Sequence, residues 1–79
     1  MNIRRSKTEI PLAPIERVIK ETTNMLVSES AALEMREVIV EIAEQIAMDA
    51  ADLAIFSKRK TIKDRDIALA YKNLRKNRF

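Results

Sequence analysis

The residues best suited to chemistry stand in one short basic segment, residues 58–66, which reads Lys-Arg-Lys-Thr-Ile-Lys-Asp-Arg-Asp. Lysine and arginine bind phosphate, so several of them in one loop predict contact with a polyanion, and duplex DNA is the simplest candidate. Charge is segregated around this segment. Residues 1–10 sum to +2, residues 11–56 to −6 (three basic against nine acidic) and residues 57–79 to +7 (nine against two). A basic end and an acidic middle therefore underlie the net charge of +3.

The chain has few side chains of the types that enzymes use for catalysis. The sequence has no Cys and no His, which removes a disulfide framework, the usual zinc ligands, a cysteine nucleophile and the commonest general base. It has no Gly either, so the glycine-rich phosphate loops of nucleotide-binding proteins are not available. We therefore predict no enzyme activity, no cofactor, no metal site and no small-molecule substrate.

Length and composition predict a small protein that needs a partner. A chain of 79 residues forms one domain and buries only about 60% of its unfolded surface, so its core is marginal without disulfides, metals or a second chain. No apolar run approaches the roughly 18 residues of a membrane span, and no apolar stretch follows the basic N-terminal residues to form a signal peptide. We expect a soluble, cytoplasmic protein with no membrane partner.

Apolar spacing predicts three helices joined by two short extended pieces. The first helix covers residues 14–22 with Pro at its first position, and the last covers residues 64–75. Between them, residues 28–56 contain no Pro or Gly, which predicts a helix of about 29 residues and about 43 Å. Because so long a helix overhangs any core that its short neighbours could build, we expect a second copy to cross it. The extended pieces, residues 25–27 and 60–62, could pair as a ladder between two chains.

An acidic stripe recurs along the long helix at three- and four-residue spacing and would repel phosphate. Its members are Glu34, Glu37, Glu41 and Glu44. We therefore expect DNA to bind elsewhere, near the loops.

The order short helix, strap, long helix, strap, short helix resembles the histone fold, and the residues are most similar to those of archaeal histones. The resemblance covers about residues 10–75. It rests on residues 12–15 followed by Arg17 and Lys20, on residues 27–28, and on residues 59–63 followed by residues 66–67 and 69–70. In the last stretch, Arg59, Thr61 and Asp66 match an Arg-x-Thr-x-x-x-x-Asp signature that is fairly specific in a helical context.

The resemblance implies an all-α histone fold that forms a head-to-tail handshake dimer, with its straps and first-helix N-termini along one DNA-binding edge. It implies a histone that binds duplex DNA without sequence specificity and compacts chromosomal DNA as a homodimer or tetramer, associated with the nucleoid. The domain limits that we predict are a basic tail at residues 1–9, the histone-fold domain at residues 10–76 and a frayed basic C-terminus at residues 77–79.

Candidate DNA contacts lie near the loops and helix N-termini, because cations and free helical N–H groups both favour phosphate. They are Lys58, Lys60, Thr61 and Lys63 in the second strap, between the long helix and the last helix, Arg17 and Lys20 on the first helix, and Arg4, Arg5 and Lys7 in the tail. The pair on the first helix could equally form an ordinary solvated face balanced by Glu16 and Glu21. Arg59 is assigned instead to a structural ion pair with Asp66, since an arginine fork satisfies a carboxylate with two bonds.

Three positions depart from the archaeal histone pattern. Leu26 stands where the family typically has an arginine that enters the minor groove, and Thr23 stands where a glycine ends the first helix and permits close stacking of dimers. Phe56 replaces the histidine of the usual contact between dimers. An apolar contact would take its place, with Leu53, Ile55, Phe56 and Leu69 as its members. In the alternative, Phe56 folds back to cap the core of the dimer.

A second functional class stays open, namely a histone-fold component of a transcription or centromere-type factor that pairs with a different histone-fold chain. The acidic stripe and the missing arginine at Leu26 favour this class, whereas the basic strap and tail favour a DNA-compacting histone. The histone should self-dimerise and bind DNA with a steep salt dependence, and the factor component should be unstable alone.

Overall fold

The computed structural model describes residues 10–78, the side chain of Arg78 excepted, and this part of the chain holds three α-helices and no strand. They are α1 (Leu12–Thr23), α2 (Glu29–Phe56) and α3 (Asp64–Arg78). The predicted all-α architecture, with one long helix between two shorter ones, is confirmed. Of the two extended pieces, neither forms a strand within this single chain, so the ladder between chains stays a prediction.

α1 begins two residues earlier than the sequence predicts. Pro11, with an extended backbone (φ −64°, ψ 150°), precedes the helix, and Pro14 lies inside its first turn. The N–H groups of a first turn have no intrahelical acceptor, so a proline there removes no hydrogen bond, and the helix tolerates Pro14 without starting at it.

Asn24 ends α1 in a left-handed conformation with φ 60°, and its N–H donates to the carbonyl of Lys20 at 2.7 Å. Asparagine adopts this conformation more readily than other non-glycine residues, which matters in a chain without glycine. The hydroxyl of Thr23 donates to the carbonyl of Ile19 at 2.7 Å and accepts the N–H of Met25 at 3.2 Å. The small polar side chain therefore closes the helix end.

α2 runs for 28 residues, about 42 Å, and begins after a serine cap. The hydroxyl of Ser28 accepts the N–H of Ala31 at 3.1 Å, which satisfies one of the free donors of the first turn. The acidic Glu29 in that turn suits the positive end of the helix dipole.

α3 continues three residues beyond the predicted end at Arg75, so residues 77 and 78 belong to the helix. Phe79 lies outside the described residues. Neither Pro nor Gly interrupts residues 64–78, and the guanidinium of Arg75 lies 5.7 Å from the ring centre of Tyr71, one turn earlier, which favours helical geometry in the last turns.

The chain divides inside α2, after Glu41, into two compact units. In the first unit, Ile15 and Ala32 are buried, and Arg36 donates to the carbonyl of Ile10 at 3.1 Å. An apolar groove between α1 and the first part of α2 is lined by Pro14, Ile15, Val18, Ile19, Met35 and Ile39. In the second unit, the buried apolar residues are Ala50, Ala54 and Ala70.

Most large apolar side chains of the described residues are exposed in the single chain. Of the five buried apolar residues, four are alanine. The exposed ones include Val18, Met25, Leu26, Met35, Val38, Ile39, Met48, Ile55, Phe56 and Leu69. An apolar surface of this extent favours a partner chain that covers it.

None of the described helices is both long enough and apolar enough to cross a membrane.

Candidate nucleic-acid interface

The second loop (residues 57–63) starts with a tight reversal of the backbone at the end of α2. The N–H of Arg59 donates to the carbonyl of Ala54 at 2.9 Å, and the N–H of Lys58 donates to the carbonyl of Ile55 at 2.8 Å. These two bonds form a Schellman motif, which requires a left-handed residue just past the helix end. Lys58 takes that position with φ 61°. The motif places Arg59 immediately after the reversal.

Arg59 holds the second loop against the start of α3. Its two terminal nitrogens donate to the two carboxylate oxygens of Asp66, Nη1 to Oδ2 at 2.8 Å and Nη2 to Oδ1 at 2.9 Å. Nη1 also donates to the carbonyl of Thr61 at 3.0 Å. A two-pronged arrangement of this kind fixes both position and orientation, so the guanidinium is committed to the fold rather than available to a ligand. The structure thus brings together the pair that the sequence analysis assigned a structural role.

Asp66 accepts a third hydrogen bond, from the N–H of Lys63 at 2.8 Å. Lys63 directly precedes α3 and has no side-chain oxygen, so the acidic residue three positions later reaches back to satisfy the N–H at the cap. Asp66 is only 4% exposed, which is unusual for an aspartate and is matched here by three donors. The loop is therefore fixed at Arg59, Thr61 and Lys63.

These hydrogen bonds shift both ionisation equilibria of the pair. Bonding to the Arg59 guanidinium, and next to the Lys63 N–H, holds the pKa of Asp66 well below its usual value of 3.8. The same bond to Asp66 raises the pKa of Arg59 above its already high usual value. Both groups are charged at neutral pH, and the ion pair persists throughout the physiological range.

The remaining cations of the second loop point outward. Lys58, Lys60 and Lys63 are exposed, as is Thr61 between them. The loop therefore combines a backbone fixed from within by one ion pair with three ammonium groups presented to solvent. Such an arrangement can hold phosphate oxygens at set positions without reading bases.

The other predicted DNA contacts lie elsewhere. Arg17 and Lys20 are exposed on α1, where they share a shallow depression with Glu16 and Glu21. This mixed-charge surface fits a phosphate contact as well as an ordinary solvated face, and the role of the two cations stays a prediction. The tail residues Arg4, Arg5 and Lys7 lie outside the described residues.

The first loop (residues 24–28) is apolar where the second is basic. Leu26 is 91% exposed and Met25 is 67% exposed, both held between the capped ends of α1 and α2. The sequence identified Leu26 as a departure from the arginine of archaeal histones. The structure adds that its side chain is covered by nothing in the described part of its own chain.

The predicted contact between dimers falls on partly exposed residues. Phe56 is 87% exposed, so within its own chain it caps no core, and Ile55 and Leu69 are exposed as well while Leu53 is half-buried. Phe56 and Leu53 line a shallow groove with three residues that the sequence analysis missed, Asp49, Asp52 and Asn73. Helical spacing of three and four residues from Asp49 to Asp52 to Phe56 was the signal that could have found the two aspartates, whereas no local pattern links Asn73 to them.

In the described part of the chain, no group of three or more acidic, His or Cys side chains is arranged to hold a metal ion.

Three helices in short, long, short order, with an arginine–aspartate fork between the end of the long helix and the start of the last, define a histone-fold protein. The chain belongs to the family of histone-like transcription factors (CBF/NF-Y) and archaeal histones, whose sequence profile matches residues 8–71. It is 42% identical over 62 residues to probable archaeal histone 3 of Methanocaldococcus jannaschii, a match that covers 78% of this chain and 92% of that protein. It is 39% identical over 64 residues to one of the subunits of archaeal histone HAN1 from Thermococcus zilligii, a match that covers 81% of this chain and 96% of that protein.

These comparisons confirm the predicted resemblance to archaeal histones and the histone fold. At the level of the family, these comparisons support a histone-fold role in binding or organising DNA.

Proposed function

We propose that this protein is a DNA-compacting histone, a homodimer that binds duplex DNA through its phosphates without sequence preference and is associated with the chromosome in the nucleoid. The observation that carries the proposal is the second loop, where exposed Lys58, Lys60 and Lys63 stand on a backbone fixed by the Arg59–Asp66 pair. The archaeal histones among its relatives support the same function.

The homodimer is supported by what the single chain leaves uncovered. Large apolar side chains along α1 and α2 are exposed, including Val18, Ile39 and Met48. The small side chains of Ala43 and Ala47 on α2 leave room for a second helix to approach closely. A handshake in which two long helices cross would cover these residues and would give the small domain the core that it lacks.

The proposed DNA contacts extend from the second loop to α1 and the basic tail. Arg17 and Lys20 would add phosphate contacts, and Arg4, Arg5 and Lys7 would contribute salt-dependent attraction. Because the proposed contacts are cations at a loop, on a helix surface and in a tail, where they attract phosphate through charge, binding should follow the backbone and the deformability of the duplex.

We further propose that dimers associate into tetramers through the apolar patch of Leu53, Ile55, Phe56 and Leu69. The exposure of Phe56 supports this contact, because an aromatic ring left 87% in water gains most from association. The hydroxyl and methyl of Thr23 at the end of α1 would occupy the space that close stacking of dimers needs, so we do not expect a tightly stacked filament. Light scattering of the free protein should find tetramers at high concentration, and dimers alone would contradict this contact.

A second function merits a test, because the family also contains histone-like transcription factors. In that case the chain would be one half of a heterodimer, and the exposed Met25 and Leu26 of the first loop would contact the other half. The HAN1 relative is itself named as a subunit.

One experiment separates these functions. Purified protein is titrated with random-sequence duplex DNA across a salt series, after its dimeric state has been checked by sedimentation. The proposed histone should bind tightly at low salt, lose affinity linearly on a log–log plot and ignore sequence. A folded dimer that fails to bind at low salt would overturn the DNA-compacting function, and a chain that stays unfolded until a second histone-fold chain is added would establish the heterodimer.

A further inference from the structure

The second unit contains a shallow groove, which we call the acidic groove. None of its described lining residues is among the proposed DNA contacts. It is lined by Asp49, Asp52, Leu53, Phe56 and Asn73. None of its described lining residues is basic, and the last turn of α2 carries no basic residue that would offset the negative end of the helix dipole. The groove is therefore a negatively charged spot beside an exposed aromatic ring, and it would repel DNA.

The side chains of the acidic groove match an arginine-bearing peptide. Carboxylates bind guanidinium groups through two parallel hydrogen bonds, and the exposed face of Phe56 can stack on a guanidinium plane. The amide of Asn73 offers both a donor and an acceptor to a peptide backbone. A lysine-only segment would gain less, because an ammonium group neither forks nor stacks.

The chain itself contains such a segment outside the described residues. The basic tail (residues 1–9) begins Met-Asn-Ile-Arg-Arg-Ser-Lys, with three cations before its one acidic residue, Glu9. Nine residues reach about 30 Å when extended, enough to extend from one molecule to its neighbour. We propose that the basic tail of a second copy docks in the acidic groove, with its two adjacent arginines opposite Asp49 and Asp52.

Docking of the tail would also remove an electrostatic obstacle to the proposed contact between dimers. Two like surfaces that meet around Phe56 bring the carboxylates of both copies near each other, and like charges at short range oppose association. The arginines of the tail neutralise those carboxylates. Tail docking rests on the proposed contact between copies and is independent of DNA binding, so its test is run without DNA.

Disulfide cross-linking provides the test. Because the chain has no cysteine of its own, disulfides can form only between the introduced cysteines. Full-length chains carrying S6C are mixed with full-length chains carrying N73C, oxidised, and assayed by mass for the mixed disulfide. A matched control replaces N73C by S30C, an exposed position in the first turn of α2. We expect the 6–73 disulfide to exceed the 6–30 disulfide at least about three-fold at 0.05 M salt, with most of the excess lost at about 0.5 M, where the charges are screened.

Two variants identify the charges responsible. The double variant D49N/D52N keeps the shape of both side chains and should reduce the 6–73 yield to the control level, whereas E16Q/E21Q on α1 should leave it unchanged. The double variant R4A/R5A, in the basic tail, should match the effect of D49N/D52N. Equal yields at positions 73 and 30, or a yield that D49N/D52N and R4A/R5A leave intact, would overturn the proposal while leaving the DNA-binding result untouched.

Discussion

Both loops leave the preceding helix at a left-handed residue, Asn24 after α1 and Lys58 after α2, but small polar side chains secure the first loop whereas an ion pair secures the second. Thr23, Asn24 and Ser28 close the helix ends around the first loop. Around the second loop, backbone hydrogen bonds close the end of α2, and the side chains of Arg59 and Asp66 hold the loop against the start of α3. Neither loop uses glycine, because the chain has none.

The two loops also present different kinds of side chain to solvent. The first loop commits no charged side chain and exposes Met25 and Leu26, which suits contact with protein or with the apolar edge of a distorted duplex. The second loop uses one arginine internally and leaves three lysines outside, which suits phosphate. The stability of the second loop and its charge are therefore carried by different residues and can be changed separately.

The largest effect should follow from breaking the ion pair. D66A removes the acceptor for both terminal nitrogens of Arg59 and for the N–H of Lys63, and it leaves an arginine without its partner in a part-buried site. We expect the thermal midpoint to fall by roughly 5–15 °C at matched protein concentration, measured by circular dichroism. The control D64A removes an exposed acidic residue two positions earlier. Equal melting of D66A and D64A would show that the pair does not hold the loop.

The next effect should follow from removing the outward charge while keeping the pair. K60A/K63A should lower affinity for random-sequence and defined duplexes alike, on the order of ten-fold, and should flatten the log–log salt slope by about 2, one unit for each lost phosphate contact. The thermal midpoint should stay close to that of the parent. The control K72A/K76A makes the same change of charge on α3, and an equal loss of affinity in that variant would contradict a DNA site at the second loop.

The sequence predicted the second loop well because its residues act through local spacing. Arg59 and Asp66 stand seven positions apart around a break in helical pattern, and an arginine near a carboxylate in that context has one obvious use. Helix existence was predictable for a similar reason, since apolar periodicity is a local signal. The predicted end of α3 falls too early because a run of basic residues resembles a fraying end, although nothing in it breaks a helix.

Exposure and cap geometry were less accessible to sequence reasoning. Lys58 stands out in the sequence only as a charge, and nothing in the residue type shows that its backbone is left-handed. The acidic groove was missed because Asp49 and Asp52 lie on α2, where the apolar periodicity is the stronger sequence signal. Asn73, the third polar residue of the groove, comes from a different helix. Which apolar residues stay exposed in one chain depends on packing between elements, which a local pattern does not encode.

Acid should lower the stability of the fold by protonating Asp66, which breaks its ion pair with Arg59. Its folded-state pKa lies below the usual value of 3.8, so the pair stabilises the fold fully above about pH 4, and this stabilisation is lost as the pH falls below 4 toward the lowered pKa. The thermal midpoint of the parent should therefore fall more steeply between about pH 4 and pH 2 than that of D66N, which has no such proton to bind. D64N should keep the steep dependence of the parent. Parallel profiles for the parent and D66N would contradict this assignment.

A smaller effect should follow from giving the first loop the charge that it lacks. L26R places a cation at a 91% exposed position, so it should leave the thermal midpoint nearly unchanged. If the first loop lies along the DNA-binding edge, the salt slope should steepen by about 1 and affinity should rise a few-fold. The control T22R adds the same charge about one turn earlier on α1. A slope that L26R leaves unchanged would assign the first loop to protein contact alone.

The smallest effect concerns the backbone at the start of the second loop. Lys58 holds φ 61°, a conformation that costs a residue with a Cβ more than it costs glycine. K58G should therefore raise the free energy of unfolding by roughly 0.5–1 kcal/mol, measured by urea titration at fixed protein concentration. It should at the same time weaken DNA binding by one phosphate contact. K60G, in the same loop and without a positive φ, should lose the contact without gaining stability. If K58G is both more stable and a weaker DNA binder, then lysine is kept at a strained position for its charge, and the separation of stability from charge in this loop extends to a single residue.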